Sequence, residues 1–450
     1  MEGEGEAGRD LHTRAEKDGA KLIELHFTDI MGAVKSITIP VHRLKDALEK
    51  GVWFDGSSIE GFCRIHESDL YLKPDESTYA MLPWKQGVAR IICDVYSPNR
   101  EPFNSDPRFV LRNACEKAGE IGYTYKAGPE LEFYIFAGAD NGNGAAKNLG
   151  PVPHDFAKYF DASPKDLASD VRRDAVYALE KCGLEVEAAH HECGPGQHEI
   201  DFKYAEAVKA ADNAITLKYI VKSIAQGYGL RASFMPKPAA GIAGSGMHVH
   251  QSLWDKGDKN AFYDANDKYG LSEIAKQFIA GQLCHAKALS AIISPTVNSY
   301  KRLGEHEAPS LISWARTNRS ALIRIPAQTK GREGSVRAEI RSPDPSANPY
   351  LAFAAMLKAG LDGIENEMEL QEPVEEDLYG FSDEKLAELN IGRLPSKLPE
   401  AIYELQKDKV IFDVLGKELK EKYVDAKMRE WRAYHREISE WEVRNYLEEV

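Results

Sequence analysis

Three stretches of this chain set carboxylates, imidazoles and guanidiniums at alternate positions. In GPELEFYIF (128–136), Leu131, Phe133 and Ile135 are apolar, with Glu130 and Glu132 interleaved. Side chains alternate along a strand, so the two glutamates share one face. In GSGMHVHQSLW (244–254), His248, His250 and Ser252 oppose Met247, Val249 and Leu253. In SVRAEIRSP (335–343), Arg337, Glu339 and Arg341 oppose Val336, Ala338 and Ile340. A fourth segment, VEAAHHECGPGQHEIDF (186–202), adds Glu187, Glu192 and Glu199 around a Gly-Pro-Gly turn. Taken singly, each strand reads as the solvated face of an amphipathic sheet. Solvated faces usually mix Lys, Thr and Ser with Glu, whereas these hold Glu, His and Arg with almost no Lys. His190, His191 and His198 read as surface or hydrogen-bonded core histidines.

If the faces converge, Glu130, Glu132, Glu192, Glu199 and Glu339 bring five negative charges into one cavity. Desolvated like charges must be protonated or neutralised. Carboxylate-rich coordination with one imidazole and no thiolate favours Mg²⁺ or Mn²⁺ over zinc. Arg302, Arg319, Arg324, Arg337 and Arg341 then suit a polyanionic substrate, because guanidinium forks bind carboxylate and phosphate bidentately. Metal, arginines and an acidic cage together read as phosphoryl transfer. No G-x-x-x-x-G-K-[ST] occurs, which excludes a P-loop.

The elements that must hold these residues are legible in outline. A chain of 450 residues makes two or three domains. Its 57 basic and 71 acidic residues give a net charge of −14, which argues against nucleic-acid and membrane-surface binding. No apolar run approaches the ~20 residues of a membrane helix. The acidic, Gly-rich start MEGEGEAGRD is unlike a signal peptide, and six cysteines show no C-x-x-C pair. A cytoplasmic, reduced protein is the expectation. Residues 1–15 read as a flexible tail and 16–103 as a small α+β domain. Within that domain, strands are expected around a turn at Asp29–Gly32 and at Ser68–Leu72, Thr78–Leu82 and Val88–Val95, with a short helix over Val41–Lys50. The Pro-rich stretch Ser97–Pro107 reads as a boundary, and 104–450 as a second domain, mostly helical after Asn348. Asp106-Pro107 predicts a helix start, as does Ser163-Pro164; Asn141–Ala146 reads as an exposed loop.

Seven motifs in order carry a resemblance that covers nearly the whole chain: FDGSSIEGF (54–62), GPELEFY (128–134), HHECGPGQHEI (190–200), GSGMHVHQSL (244–253), NSYKRL (298–303), NRSALIRIP (318–326) and RAEIRSPDPSANPYL (337–351). The chain resembles the glutamine synthetase family, type I, in its alpha-like, non-adenylylated subtype. The resemblance implies an α+β fold: a small N-terminal β-grasp domain and a large catalytic domain with a curved antiparallel sheet flanked by helices. It implies a dodecamer of two stacked hexameric rings with active sites between subunits, and allows nitrogen-regulatory proteins as further partners. The implied reaction ligates ammonia to glutamate at the expense of ATP through a γ-glutamyl phosphate.

By the same resemblance, Glu132, Glu192 and Glu199 match the ligands of one metal, and Glu130, His248 and Glu339 those of another, with two to three Mg²⁺ or Mn²⁺ per site. Glu187, His250 and Ser252 match nucleotide contacts, and Arg324 a phosphate contact. Ala243, Gly244, Arg302 and Arg341 match the glutamate site, and Arg319 the transferring phosphoryl group. Asp55 matches the ammonium-site base, Glu307 the flap glutamate, and Arg64 a residue coupling glutamine binding to inhibition. Two departures stand out. Ala243 replaces the family's usual Asn, and the flap KRLGEHEAP (301–309) lacks a Pro-Gly-Tyr and is one residue shorter. A γ-glutamyl ligase for another amine, and a non-catalytic sensor or structural relative, are the alternative readings. Asp55 speaks against the first, since an anionic pocket suits a small cation, and the intact metal motifs against the second.

Overall fold

The computed structural model describes residues 2–61, 69–138, 152–305, 308–327, 331 and 333–449. Arg64, Glu307 and the loop expected at Asn141–Ala146 lie outside them.

The segment expected as a tail through residue 15 is helix α1 (Glu2–Lys17) instead. Leu11 and Ala15, four apart and so on one helical face, are buried in the first domain's core with Ile23, Leu25 and Ile91. The polar composition that suggested a tail belongs to the rest of the helix. Strands β1 (Leu22–Thr28) and β2 (Val34–Pro40) form the expected hairpin. A 3₁₀ turn leads into α2 (Leu44–Lys50), stopped by Gly51 at φ +75°. Strands β3 (Val52–Asp55), β4 (Asp69–Pro74), β5 (Ala80–Met81) and β6 (Val88–Tyr96) complete a sheet ordered β2-β1-β6-β4-β3, with β5 also on β6. Only β1 and β6 run parallel. The strand expected over Thr78–Leu82 shrinks to two residues because 76–78 turn under the Asp75 side chain. Asp55 ends β3, the edge strand.

The second domain begins at α3 (Pro107–Glu120), where Asp106 caps the Arg108 N–H at 3.1 Å and Pro107 occupies the first turn. Its nine-stranded sheet comprises β7 (Tyr123–Phe136), β8 (Val186–His191), β9 (Gln197–Phe202), β10 (Ala205–Glu206), β11 (Arg231–Ser233), β12 (Met247–Asp255), β14 (Trp314–Ala315), β15 (Ile323–Arg324) and β16 (Ala338–Ile340). Between β12 and β14, β13 (Leu311–Ile312) pairs separately with β17 (Gly392–Arg393). The main order is β14-β15-β16-β12-β7-β9-β8, antiparallel except for the short β14–β15 pair. Strand structure covers only the centre of the expected 335–343 segment, leaving Arg337 and Arg341 just outside it. The helix expected from Ser163-Pro164 starts later, as α4 (Ser169–Lys181). Residues 163–168 are irregular, with Asp161 and Ser163 side chains accepting backbone N–H bonds there.

Leu131, Phe133, Ile135, Ile200, Met247, Val249 and Ile340 all enter one core, together with residues of α5 (Ala207–Gly227), α6 (Glu273–Cys284), α7 (Ala286–Ile293) and α8 (Pro349–Glu365). Burying these alternate residues fixes register, since a one-residue slip would put every apolar side chain on the wrong face. The polar set is thereby pinned to the other face.

The two domains meet through charge. The buried Arg108 guanidinium forks onto Asp212 of α5 (3.0 and 2.8 Å) and reaches Asp94 (2.6 Å) and Asp75 (2.7 Å) of the first domain. Gly32, at φ +76°, lets the β1–β2 turn approach Asn348, whose amide donates to the Asp29 carbonyl at 3.1 Å. Removing one partner of a buried ion-pair network costs about 3–5 kcal/mol. Arg108→Met should lower unfolding free energy by about that amount in urea titration; a loss under about 1 kcal/mol, the scale of an exposed pair, would mean the junction does not depend on it.

Candidate active site

Backbone register brings the predicted residues together. On adjacent strands His248 faces Glu130, Glu132 faces Glu199, His250 faces Glu339, and Arg324 faces Glu339. Directly opposed side chains lie ~4.5–5.5 Å apart at Cβ, so each pair is in contact range.

Around Glu130, the His250 Nε2–H donates to Oε1 at 2.6 Å while His250 Nδ1 accepts from Arg337 Nε at 3.1 Å, which fixes the imidazole's tautomer. His248 Nδ1 stands 3.5 Å from Glu130 Oε2 and 3.9 Å from Glu339 Oε1. Glu339, 1% exposed, accepts from Arg324 at 2.9 Å and from Arg341. Burial pushes both carboxyls up, but His250 and its neighbours outweigh it and hold Glu130 and Glu339 below the usual carboxylate range.

The second group behaves oppositely. Glu199 lies beneath Asp201, Glu132, Glu130 and Glu192, and burial with those like charges pushes its carboxyl up to about 12. Burial and Glu132 raise Glu192, and burial and Glu130 push Asp201 up to about 6. Glu132 accepts from the Gln197 amide and the Gly246 N–H, both at 2.9 Å. The His190 imidazole, 3.7 Å from Glu192 and Glu199, does not offset these like charges, and such a crowd of carboxylates is the environment a divalent cation satisfies. The oxygen-rich donor set fits Mg²⁺ or Mn²⁺. Glu130, His250 and Glu339, and separately His190, Glu192 and Glu199, each present ligand atoms within 4.8 Å of one another.

Glu187, His250 and Ser252 line one pocket of about 360 Å³ with Glu130, Asp201 and Arg337. Arg319 is exposed on the loop between β14 and β15, and its charge reaches Tyr159, whose ring meets His190 edge-on at 5.7 Å. Arg302 is buried and donates to the carbonyls of Ser342 (2.8 Å), Pro343 (3.2 Å) and Arg341 (3.2 Å). A Cβ at Gly244 would meet Arg302 Cγ at 2.7 Å, so that position has no room for a side chain. The Ala243 carbonyl takes the Tyr134 hydroxyl at 2.6 Å, a contact any residue at 243 provides. In the expected flap, the N–H of Gly304 (φ +83°) donates to the Ala308 carbonyl at 2.8 Å, and Lys237 holds Glu305 at 2.5 Å. Asp55 accepts the Ser57 N–H at 2.8 Å.

Three residues of this face escaped the sequence reading. His190, read as a surface or core histidine, stands 3.7 Å from both Glu192 and Glu199. His191, on Asp155 at 2.8 Å, and His198, under Arg172 at 2.9 Å, are hydrogen-bonded core histidines as expected. Gln197 and Asp201 were visible only as members of β9, and their roles depend on pairing with β7.

Residues 19–98 match the model of the glutamine synthetase beta-Grasp domain and residues 104–446 that of the glutamine synthetase catalytic domain. A curated glutamine synthetase of Thermotoga maritima is 51% identical over 96% of this chain and 97% of its own. One of Halobacterium salinarum is 47% identical over 96% and 95%. A solved structure described as a GmaS/ADP complex superposes with a TM-score of 0.87 at 31% identity, covering 97% of this chain and 99% of that one. The chain belongs to the glutamine synthetase family.

Burial and the surrounding carboxylates raise Glu199, so a cation bound against it would expel a proton. Mn²⁺ affinity should therefore fall as pH is lowered, up to about tenfold per unit for one proton. Calorimetry in buffers of different ionisation enthalpy should register that release, and Glu199→Gln should abolish it. Equal heats in all buffers would contradict the assignment.

Proposed function

We propose that this face carries ATP-dependent ligation of ammonia to glutamate, yielding glutamine, ADP and phosphate through a γ-glutamyl phosphate. Family membership supplies the overall reaction. The observation that supports the site reading is that His248 stands 3.5 Å from Glu130 and 3.9 Å from Glu339, while Glu132 faces Glu199 on the same sheet and the Glu199 carboxyl lies among those of Glu132 and Glu192. Those six residues would hold two to three Mg²⁺ or Mn²⁺ ions, which when bound would neutralise the phosphates and the charge developing on the transferred group.

The chain's own residues divide the remaining work. Glu187, His250 and Ser252 take the nucleotide in their common pocket, and Arg324 takes its phosphate. Arg319 stabilises the phosphoryl oxygens during transfer. Arg302, Arg341 and the backbone at Ala243 and Gly244 orient glutamate. Asp55 attracts ammonium and accepts its proton, so that ammonia attacks the acyl carbon. Glu307 closes the flap and excludes the water that would hydrolyse the intermediate. Arg64 couples product binding to inhibition. The domains divide near residue 103, and the enzyme works in the cytoplasm as a dodecamer of two hexameric rings, open to nitrogen-regulatory partners.

Phosphate release compared with ammonium, methylamine and putrescine tests the reading. Ammonium should be the strongly preferred acceptor, and preference for a larger amine would reassign the chain to another γ-glutamyl ligase. Shared sites give a second test. Asp55→Ala and Glu339→Ala subunits should each be nearly inactive alone. Co-assembled in equal amounts, they should regain roughly a quarter of wild-type activity, by the head-to-tail geometry of a closed ring. No recovery in verified mixed rings would mean that Asp55 serves its own subunit.

A further inference from the structure

Between the first domain and helices α3, α4 and α5 lies a cavity of about 1000 Å³, separate from the carboxylate face. Arg90 of β6 is on its wall and is 5% exposed. No hydrogen bond or ion pair engages its guanidinium among the described residues, and Nε and Nη1 are sealed from solvent without a partner. The contrast with Arg108 on the same wall is instructive, since that guanidinium is saturated by three aspartates. The carboxylate whose charge bears most on Arg90, Asp212, is fully committed. Its Oδ1 accepts from Arg108 and from the Tyr350 hydroxyl at 2.6 Å, and its Oδ2 from Arg108. On its inner side Arg90 adjoins a void of about 10 Å³ shared with Thr28, whose hydroxyl is also unpartnered. That volume is on the scale of one water and too small for an anion. Of the three guanidinium nitrogens only Nη2 is not sealed, so a counter-charge in the large cavity meets that end of Arg90.

A buried, uncompensated guanidinium is costly to keep, and its charge attracts carboxylate and phosphate. We propose that the interdomain cavity binds a small organic or inorganic oxyanion, carboxylate or phosphate, with Arg90 as its anchoring cation. Arg14 and Arg112 on the wall are paired, with Asp18 and with Asp75 and Asp94. Lys181 and Lys209 add positive charge and Glu116 and Glu206 negative charge, and among the described residues of the wall Arg90 is the buried cation without a carboxylate. Burial lowers the pKa of Arg90, the direction expected of a cation missing its counter-ion. The cavity also touches Tyr123, Thr124 and Tyr125 at the start of β7, the strand that continues to Glu130 and Glu132. An occupant would therefore brace the first domain against that strand.

Thermal unfolding of the assembled enzyme in phosphate, in succinate and in chloride of matched ionic strength tests this. At about 100 times its dissociation constant, an oxyanion that binds only the folded state should raise the midpoint by about 3 °C over chloride. A response to phosphate alone or succinate alone identifies the preferred source and supports the site. Arg90→Met should remove the shift, and Arg324→Gln, which alters the carboxylate face, should keep it. Should Arg90→Met fail to assemble, Gly119→Phe serves instead. It projects a ring into the cavity from a position where an added Cβ meets nothing within 4 Å, and it should also remove the shift. A midpoint no higher than in chloride, a shift undiminished in the cavity variant tested, or one lost in Arg324→Gln would overturn the proposal.

Discussion

Like-charged carboxylates crowded onto one buried face are the constraint from which the rest of this structure follows. Glu130 and Glu199 belong to adjacent paired strands, yet their carboxyls move in opposite directions. The difference lies in their neighbours. Two imidazoles face Glu130, whereas four carboxylates surround Glu199. One half of the face is compensated by the protein, and the other by whatever cation the protein binds. Arg324 and Arg341 supply the counter-charge of Glu339.

Holding those charges in place requires a rigid support. The opposite face of the same strands is a continuous apolar core with α5, α6, α7 and α8, where Leu131, Phe133, Met247 and Val249 are 0–1% exposed. A closely packed interior resists the slip that would relieve repulsion among the glutamates. Stability on one side of the sheet thereby holds an intrinsically unfavourable charge distribution on the other.

The two departures from the family pattern have different physical weight. At 243 the observed contact is made by a carbonyl, so the side chain is free to vary. In the segment 301–309, the described residues on either side of 306–307 are tied down by the Gly304 N–H to the Ala308 carbonyl and by the Lys237–Glu305 pair. The edge position of β3 also matters, since it leaves Asp55 on a rim of the first domain's sheet.

The sequence alone determined which residues share a face, because period-2 alternation is a local property of the chain. That sufficed for Glu130 with Glu132, for His248 with His250 and Ser252, and for the capped start of α3. Its motif order also determined the family. It misjudged α1, where only two buried side chains outweigh a polar composition, and Ser163-Pro164, where side-chain acceptors hold a turn in place of a helix. Tertiary structure alone decided which strands lie side by side. His190 joins Glu192 and Glu199, and Gln197 reaches Glu132, only through the pairing of β8 and β9 with β7. Likewise Arg108 is satisfied and Arg90 is not, although both are arginines of ordinary local context. The reason is that charge compensation depends on distance in space: Arg108 and Asp212 meet only through the packing of α3 on α5, and Arg90 meets neither until the two domains dock.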